Sequence, residues 1–218
     1  MVAQKPYRNY IGRMPHSSWN ESYARGELPW DTGRPDPLLM EFVTSGRLPP
    51  GPALEIGAGT GTNAIWLAER GFDVLGVDIA PLAVQRAQAK MEGRALRCRF
   101  LVWDILSGPP PEGPFRFVFD RGCFHVFDDP AEQRRFAQQV AAVLAPGGLW
   151  LSLIGSTEGP PREVGPPRRS ARDVVLAMEP ELEIVELRSA EFEIIAAQAW
   201  FCLSRRRIVP AQPSSRYV

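Results

Sequence analysis

One short segment restricts this chain more than any other. Leu54-Glu55-Ile56-Gly57-Ala58-Gly59-Thr60-Gly61 is an apolar run that breaks into alternating glycines and then enters a helical pattern from Gly61 to Gly71. A short apolar run bounded by glycine reads as a buried strand. Glycines between a strand and a helix allow a tight turn and let a ligand approach the backbone closely. The N-terminus of the following helix is electropositive and suits a carboxylate or another anion. The spacing is G-x-G-x-G, and Thr62 stands where a dinucleotide fingerprint would place its third glycine. The bland alternative is a structural turn that holds no ligand.

The rest of the chain gives this turn a setting. A short helix is expected from Pro37 to Gly46, and further strands at DVLGVD, ALRCRFLVWDI, PFRFVFD and LWLSLIG. Helices fall between them at PLAVQRAQAK and after Asp129-Pro130-Ala131-Glu132, which reads as a capping box with proline at N1. Pro146-Gly147-Gly148 is expected to stop that second helix. Strands alternating with helices mean βαβ units and a parallel sheet covered on both faces. After a helix opening at Ser170, ELEIVEL and AWFCLSRRR follow with no helix between them, which implies an antiparallel hairpin at the sheet edge. The expected fold class is therefore α/β, a doubly wound, mostly parallel sheet of seven strands with the last antiparallel. Residues 1–36 show neither helical periodicity nor strand alternation, but they carry Tyr7, Tyr10, Trp19, Tyr23 and Trp30. They read as an arm or lid, separate from a main domain at 37–218, that gains order by packing on a larger surface.

Polar groups recur at the carboxyl ends of the strands, the edge where open α/β sheets bind ligands. Asp78 ends the second strand at the distance of an acid that accepts from two ribose hydroxyls; it is equally placed to cap the next helix. Asp104 ends the third, where a carboxylate can accept from an exocyclic adenine amine, with Ile79 and Ile105 on either side of the ring. Asp120-Arg121-Gly122-Cys123-Phe124-His125 ends the fourth.

Composition removes other classes. The 25 basic residues balance the 25 acidic ones, which argues against a nucleic-acid binder held by phosphate contacts. The three cysteines are scattered without a C-x-x-C pair, and the two histidines lie far apart, so no disulfide framework or metal site is expected. No apolar run approaches a membrane span, and the first residues lack the apolar core of a signal peptide. The expectation is a cytoplasmic protein with no membrane or nucleic-acid partner, a monomer or weak homodimer.

From LEIGAGTG, Asp78, Asp104, the Leu144-to-Gly148 segment LAPGG and the terminal hairpin, residues 37–207 resemble class I S-adenosylmethionine-dependent methyltransferases, whose Rossmann-like sheet has seven strands with the last antiparallel. Trp19-x3-Tyr23-x2-Gly26-x3-Trp30 followed by Asp31-x-Gly33 further resembles the arm of the thiopurine methyltransferase-like branch, which includes thiol and halide methyltransferases. Asp120-Arg121-Gly122 matches that branch's fourth-strand motif; Tyr23 departs from it where relatives carry tryptophan. The resemblance implies S-adenosyl-L-methionine as cofactor, S-adenosyl-L-homocysteine as product and a small-molecule methyl acceptor. It implies a cofactor site of Trp19, Trp30, Glu55, Gly57, Gly59, Thr60, Gly61, Asn63, Asp78, Ile79, Asp104, Ile105 and Asp120, with no metal. Arg121, Asp120 and His125 are the candidates for catalysis.

Each candidate has a second reading. Arg121 either orients the acceptor or pairs with Asp120 or a nearby acid. His125 is either a general base or a satisfied histidine beneath the pocket. Arg168-Arg169 and Arg205-Arg206-Arg207 read as solvated faces. The expected activity is methyl transfer to a small thiol or other soft nucleophile, which needs little help from a base. The alternatives are an N- or O-methyltransferase, a nicotinamide-dependent dehydrogenase or a non-catalytic cofactor-binding module.

Overall fold

The computed structural model describes residues 16–160, 165–192 and 197–207. The helices are α1 (His16–Arg25), α2 (Pro37–Thr44), α3 (Thr62–Glu69), α4 (Pro81–Ala89), α5 (Pro130–Val143) and α6 (Ala171–Met178). The strands are β1 (Pro52–Ile56), β2 (Asp73–Asp78), β3 (Cys98–Val102), β4 (Phe115–Arg121), β5 (Leu144–Gly155), β6 (Leu182–Phe192) and β7 (Ala197–Arg206). They form one sheet in the order β3-β2-β1-β4-β5-β7-β6. The pairs among β1 to β5 are parallel, whereas β7 runs antiparallel between β5 and β6. This is the doubly wound, seven-stranded sheet expected from the sequence.

Strand periodicity sends alternate side chains to opposite faces, and two cores result. Ala53, Val74, Phe117, Phe119 and Leu151 face Leu39 and Phe42 of α2, Leu67 of α3 and Val84 of α4. Leu54, Ile56, Leu75, Val118 and Trp150 face Phe136 and Val140 of α5 and Val174 and Met178 of α6. Strand order reverses at β1, whose neighbours are β2 and β4, so a crevice opens at the carboxyl ends of β1 and β4.

Three local expectations change. The arm does contain a helix, α1, because it is made by docking rather than by its own periodicity. Asn20 accepts the Leu82 N–H at 2.9 Å, and Arg86 donates to the Tyr23 carbonyl at 2.7 Å. Helix α4 has no side-chain cap of its own, so Asn20 supplies one from the arm. Helix α5 stops earlier than expected, where Leu144 turns to extended backbone (ψ 135), and the LAPGG segment belongs to β5. Arg169 is not solvated: its side chain is 11 % exposed and it donates to the His125 carbonyl at 2.7 Å and to Asp128 at 2.6 Å. Arg168 donates to the Ser156 carbonyl at 2.7 Å. Arg168 thus satisfies a carbonyl released as β5 leaves the sheet, and Arg169 one in the turn after β4.

The glycine loop rests on one aromatic ring. A Cβ on Gly61 would lie 2.6 Å from Phe100, and one on Gly76 in β2 would lie 2.5 Å from the same ring. Both glycines therefore make room for Phe100 of β3 under the loop. Gly76→Ala should overpack this point and cost about 1–3 kcal/mol. A lowered urea midpoint with an unchanged m-value would report it; an unchanged midpoint would mean that the ring moves freely.

Candidate active site

The turn between β1 and α3 carries Gly57, Gly59 and Gly61 at φ of 69, 56 and 79. Below it, Glu55 is 1 % exposed. Its Oε1 accepts from Asn63 Nδ2 at 3.0 Å, while its Oε2 is buried with no partner. Burial pushes this carboxyl up to about 8, against hydrogen bonds from Asn63 and the Ala64 N–H that favour the charged form. A buried oxygen with lone pairs unused is a place for a donor to arrive.

Asp78 joins two loops. Its Oδ2 accepts the Gly59 N–H at 2.8 Å and its Oδ1 the Ala80 N–H at 2.9 Å. The capping and ligand readings are thus compatible, since each oxygen keeps a lone pair for a hydroxyl. Burial raises its pKa, opposed by these backbone donors. Beside it, the Trp103 N–H donates to the Asp78 carbonyl at 2.9 Å and brings Asp104 to the same edge. Asp104 Oδ1 accepts the Leu106 N–H at 2.9 Å. Ile79 is half-buried, while Ile105 is 4 % exposed within the core facing α5.

At the end of β4 the candidates divide. Asp120 is fully buried, and it accepts the Cys123 N–H at 3.1 Å, the Phe124 N–H at 3.0 Å and Trp150 Nε1 at 2.9 Å. Both oxygens are occupied in holding the turn that follows β4, and burial raises its pKa to about 6 despite those donors. His125 is 5 % exposed, and its Nδ1 accepts the Gly155 N–H at 2.8 Å. That bond uses the lone pair a neutral imidazole would need as a base and puts its proton on Nε2. The Cys123 thiol is raised well above its ordinary range by burial.

Arg121 pairs with an acid, but that acid is Asp36 rather than Asp120. Its Nε lies 2.5 Å from Asp36 Oδ2, with the two side chains 16 % and 4 % exposed. It also donates to the Trp30 carbonyl at 3.3 Å, and its guanidinium lies 5.2 Å from the centre of the Phe192 ring. Asp36 in turn caps α2 through the Leu38 N–H and donates its own N–H to Asn63 Oδ1, each at 2.9 Å. The arm thereby reaches the glycine loop a second time. Thr60 donates to Asp31 Oδ2 at 2.8 Å and accepts from Lys90 Nζ at 2.6 Å. Trp19 and Trp30 meet edge to face at 5.4 Å in a cluster with Tyr23, Ala80 and Ala83.

Glu55, Thr60, Gly61, Asn63, Asp78, Trp30 and Arg121 thus converge on one edge, with Trp19 behind Trp30. His125 stands off toward Gly155 and Phe192. Sequence reasoning missed Asp31, Asp36, Phe100 and Phe192. For Asp31 and Asp36 the available signal was the pair of acids in the arm, at a fixed distance from its tryptophans; nothing local marks Phe100 or Phe192.

Comparison with known proteins gives the family. Residues 53–148 match the model of a methyltransferase domain family. Over 152 residues the chain is 35 % identical to probable thiol methyltransferase 2 of Arabidopsis thaliana, covering 67 % of this chain and 66 % of that one. It is 32 % identical over 157 residues to the 2-heptyl-1-hydroxyquinolin-4(1H)-one methyltransferase of Mycobacteroides abscessus, covering 67 % and 68 %. The match spans about two thirds of the length of these relatives. The structure of Burkholderia thailandensis 1,6-didemethyltoxoflavin-N1-methyltransferase with 1,6-didemethyltoxoflavin and S-adenosylhomocysteine superposes with a TM-score of 0.73, at 18 % identity over 88 % of this chain and 87 % of that one. The chain belongs to the class I S-adenosylmethionine-dependent methyltransferases. Among the described residues no group of side chains could hold a metal ion, and no helix is long and apolar enough to cross a membrane.

The raised Glu55 carboxyl has a consequence for stability. The folded state keeps its proton to about pH 8, whereas the unfolded chain loses it near 4.5, the ordinary value for a glutamate. Between those values the unfolded state binds fewer protons, so stability falls as pH rises. Glu55→Gln cannot ionise and should escape this loss. Urea midpoints should show the variant gaining on the parent from pH 5 to pH 8; parallel curves would mean that Glu55 keeps an ordinary pKa.

Proposed function

We propose that this methyltransferase acts on a small thiol or another soft, already anionic nucleophile, beneath an arm that closes the cofactor site. The observation that carries this reading is the commitment of the two bases at the end of β4. An amine or hydroxyl acceptor sheds a proton as it is methylated and needs a base within hydrogen-bond reach. Asp120 is buried with three donors that hold the turn after β4, and His125 Nδ1 is occupied by Gly155. A thiolate needs neither. The thiol methyltransferase relative of Arabidopsis thaliana supports the same acceptor class.

The residues fit the cofactor. Asp78 would take the ribose hydroxyls with the lone pairs its backbone donors leave. The Gly57, Gly59, Thr60 and Gly61 turn, with Asn63 and the unpaired Glu55 oxygen, would take the amino-acid end. Ile79, Asp104 and Ile105 would border the adenine, while Trp19 and Trp30 would roof the site. When bound, S-adenosylmethionine supplies a methyl group already activated by the sulfonium charge. The chain's own task is alignment and exclusion of water. A thiolate acceptor arrives already deprotonated, so no residue of this chain would have to take a proton from it. Arg121 would hold the arm through Asp36 and Trp30 and present its guanidinium to the acceptor side. Asp120 and His125 would be positioning residues that fix the turn carrying Arg121.

A panel of thiols, halides, phenols and amines with labelled cofactor tests this reading. Thiols should be methylated at a rate that follows their thiolate fraction, and His125→Ala should keep that activity within about tenfold, because the loss of about 10²–10⁴ expected for a general base would not apply. Methylation of phenols or amines with thiols untouched would overturn the acceptor class. Cofactor binding without transfer to any acceptor would leave a non-catalytic module. For the arm, trypsin should cut after the exposed Arg25 in the free protein and be blocked by S-adenosylhomocysteine; equal protection with and without it would leave a fixed brace.

A further inference from the structure

Lys90 is the C-cap residue of α4, yet its side chain reaches the glycine loop. Its Nζ donates to Thr60 Oγ1 at 2.6 Å and to Thr62 Oγ1 at 3.3 Å. Thr62 is the first residue of α3, and the N-terminus of a helix repels a cation. Gly61, the N-cap of α3, has no side chain to offset that repulsion. Among the described residues Lys90 forms no salt bridge; its ammonium is directed at the two hydroxyls. A lysine set against the local field in this way needs an anion close by.

That anion is Asp31 of the arm, one hydroxyl further on. Thr60 is 6 % exposed, and its hydroxyl donates to Asp31 Oδ2 at 2.8 Å. The other oxygen, Oδ1, accepts the Gly33 N–H at 3.3 Å and shapes the arm's own turn. Ammonium, hydroxyl and carboxylate therefore form a chain that runs from the end of α4, through the glycine loop, to the arm.

The direction of the bonds in this chain is fixed by its ends. An ammonium only donates and a carboxylate only accepts, whereas a threonine hydroxyl has a single proton and rotates to suit its partners. With Lys90 donating to its oxygen, Thr60 turns that proton to Asp31. Each of its two bonds has a charged partner, which makes them stronger than bonds between neutral groups. Without the ammonium the hydroxyl regains its rotation, and the arm loses a donor aimed at Asp31.

We propose that Lys90 is a positioning residue for the arm: by donating to the Thr60 hydroxyl it commits the Thr60 proton to Asp31, and so holds the turn at Asp31 and Gly33 against the glycine loop while the cofactor is bound. Lys90 acts through Thr60 and belongs to neither the cofactor nor the acceptor residues described above. The inference rests on the reading that the arm closes over the cofactor. It also gives a reason for a lysine at the electropositive end of α3: its charge is offset by the arm's carboxylate only when the arm is docked.

Stopped-flow tryptophan fluorescence of the full chain, following release of S-adenosylhomocysteine, tests it. Lys90→Met keeps the aliphatic stem and removes the donor. It should speed release about fivefold to tenfold, the size of one hydrogen bond. Lys90→Arg, which also only donates, should return the rate to within about twofold of the parent. In an Asp31→Ala background, where the chain of bonds has lost its end, Lys90→Met should change the rate by less than about twofold. An unchanged rate in Lys90→Met, an equal acceleration in Lys90→Arg, or an acceleration of full size in the Asp31→Ala background overturns the proposal. Tryptic cleavage after the exposed Arg25 separates that failure from failure of the arm reading. If S-adenosylhomocysteine protects the parent but Lys90→Met releases it at the parent's rate, only the role of Lys90 falls; if the parent is cut equally with and without it, the closing arm falls as well.

Discussion

The carboxyl edge of this sheet depends on one buried carboxylate shared between two loops. Asp78 ends β2, and its two oxygens tie the glycine turn after β1 to the start of α4. Neither turn could keep its shape alone. The first has three residues at positive φ, and the second opens a helix that has no side-chain cap. An acid is needed there because it accepts on both oxygens and donates nothing. Its burial is costly, and the backbone donors offset part of that cost. The geometry of the ligand edge is thus set before any ligand arrives, which is the condition for alignment to accelerate a displacement.

The arm is joined to that edge by a second buried pair. Arg121 and Asp36 are both mostly hidden, and removing one would leave the other charge uncompensated in a poorly solvated place. Asp36 serves three partners: it caps α2, pairs with Arg121 and donates to Asn63. Asn63 also bonds Glu55 beneath the loop. A continuous set of bonds therefore runs from the arm, through the first turn of α3, to the buried Glu55 carboxyl. It offers a physical route by which the arm's position and the state of the loop can depend on each other.

The chemistry asked of the chain is modest in one respect and demanding in another. The leaving group is activated before it binds, so a strong base is unnecessary for a thiolate. The demand is for geometry and for the exclusion of water, and here the protein uses large residues: Trp19, Tyr23 and Trp30 pack together over α4 and the glycine turn. In the proposed reading Asp120 and His125 contribute by stiffness. One closes the turn after β4 and the other clamps that turn to the end of β5.

Strands and helices were legible in the sequence because their signals are local. An apolar run ending in glycines, acids at the ends of the second, third and fourth strands and two consecutive strands near the C-terminus are each visible in a few neighbouring residues. These were enough to define a doubly wound sheet, its antiparallel strand and the cofactor class. The tertiary structure alone decided the partners. That Arg121 pairs with Asp36, 85 positions away, that Phe100 supports the glycine turn and that α1 forms by docking on α4 are contacts between distant segments. No local pattern encodes them, since each depends on which surfaces the fold brings together and which charges it removes from water. The same holds for Asp120 and His125. Their residue types permit acid–base chemistry, but backbone N–H groups of the folded turn and of the end of β5, with Trp150, already engage both Asp120 oxygens and His125 Nδ1.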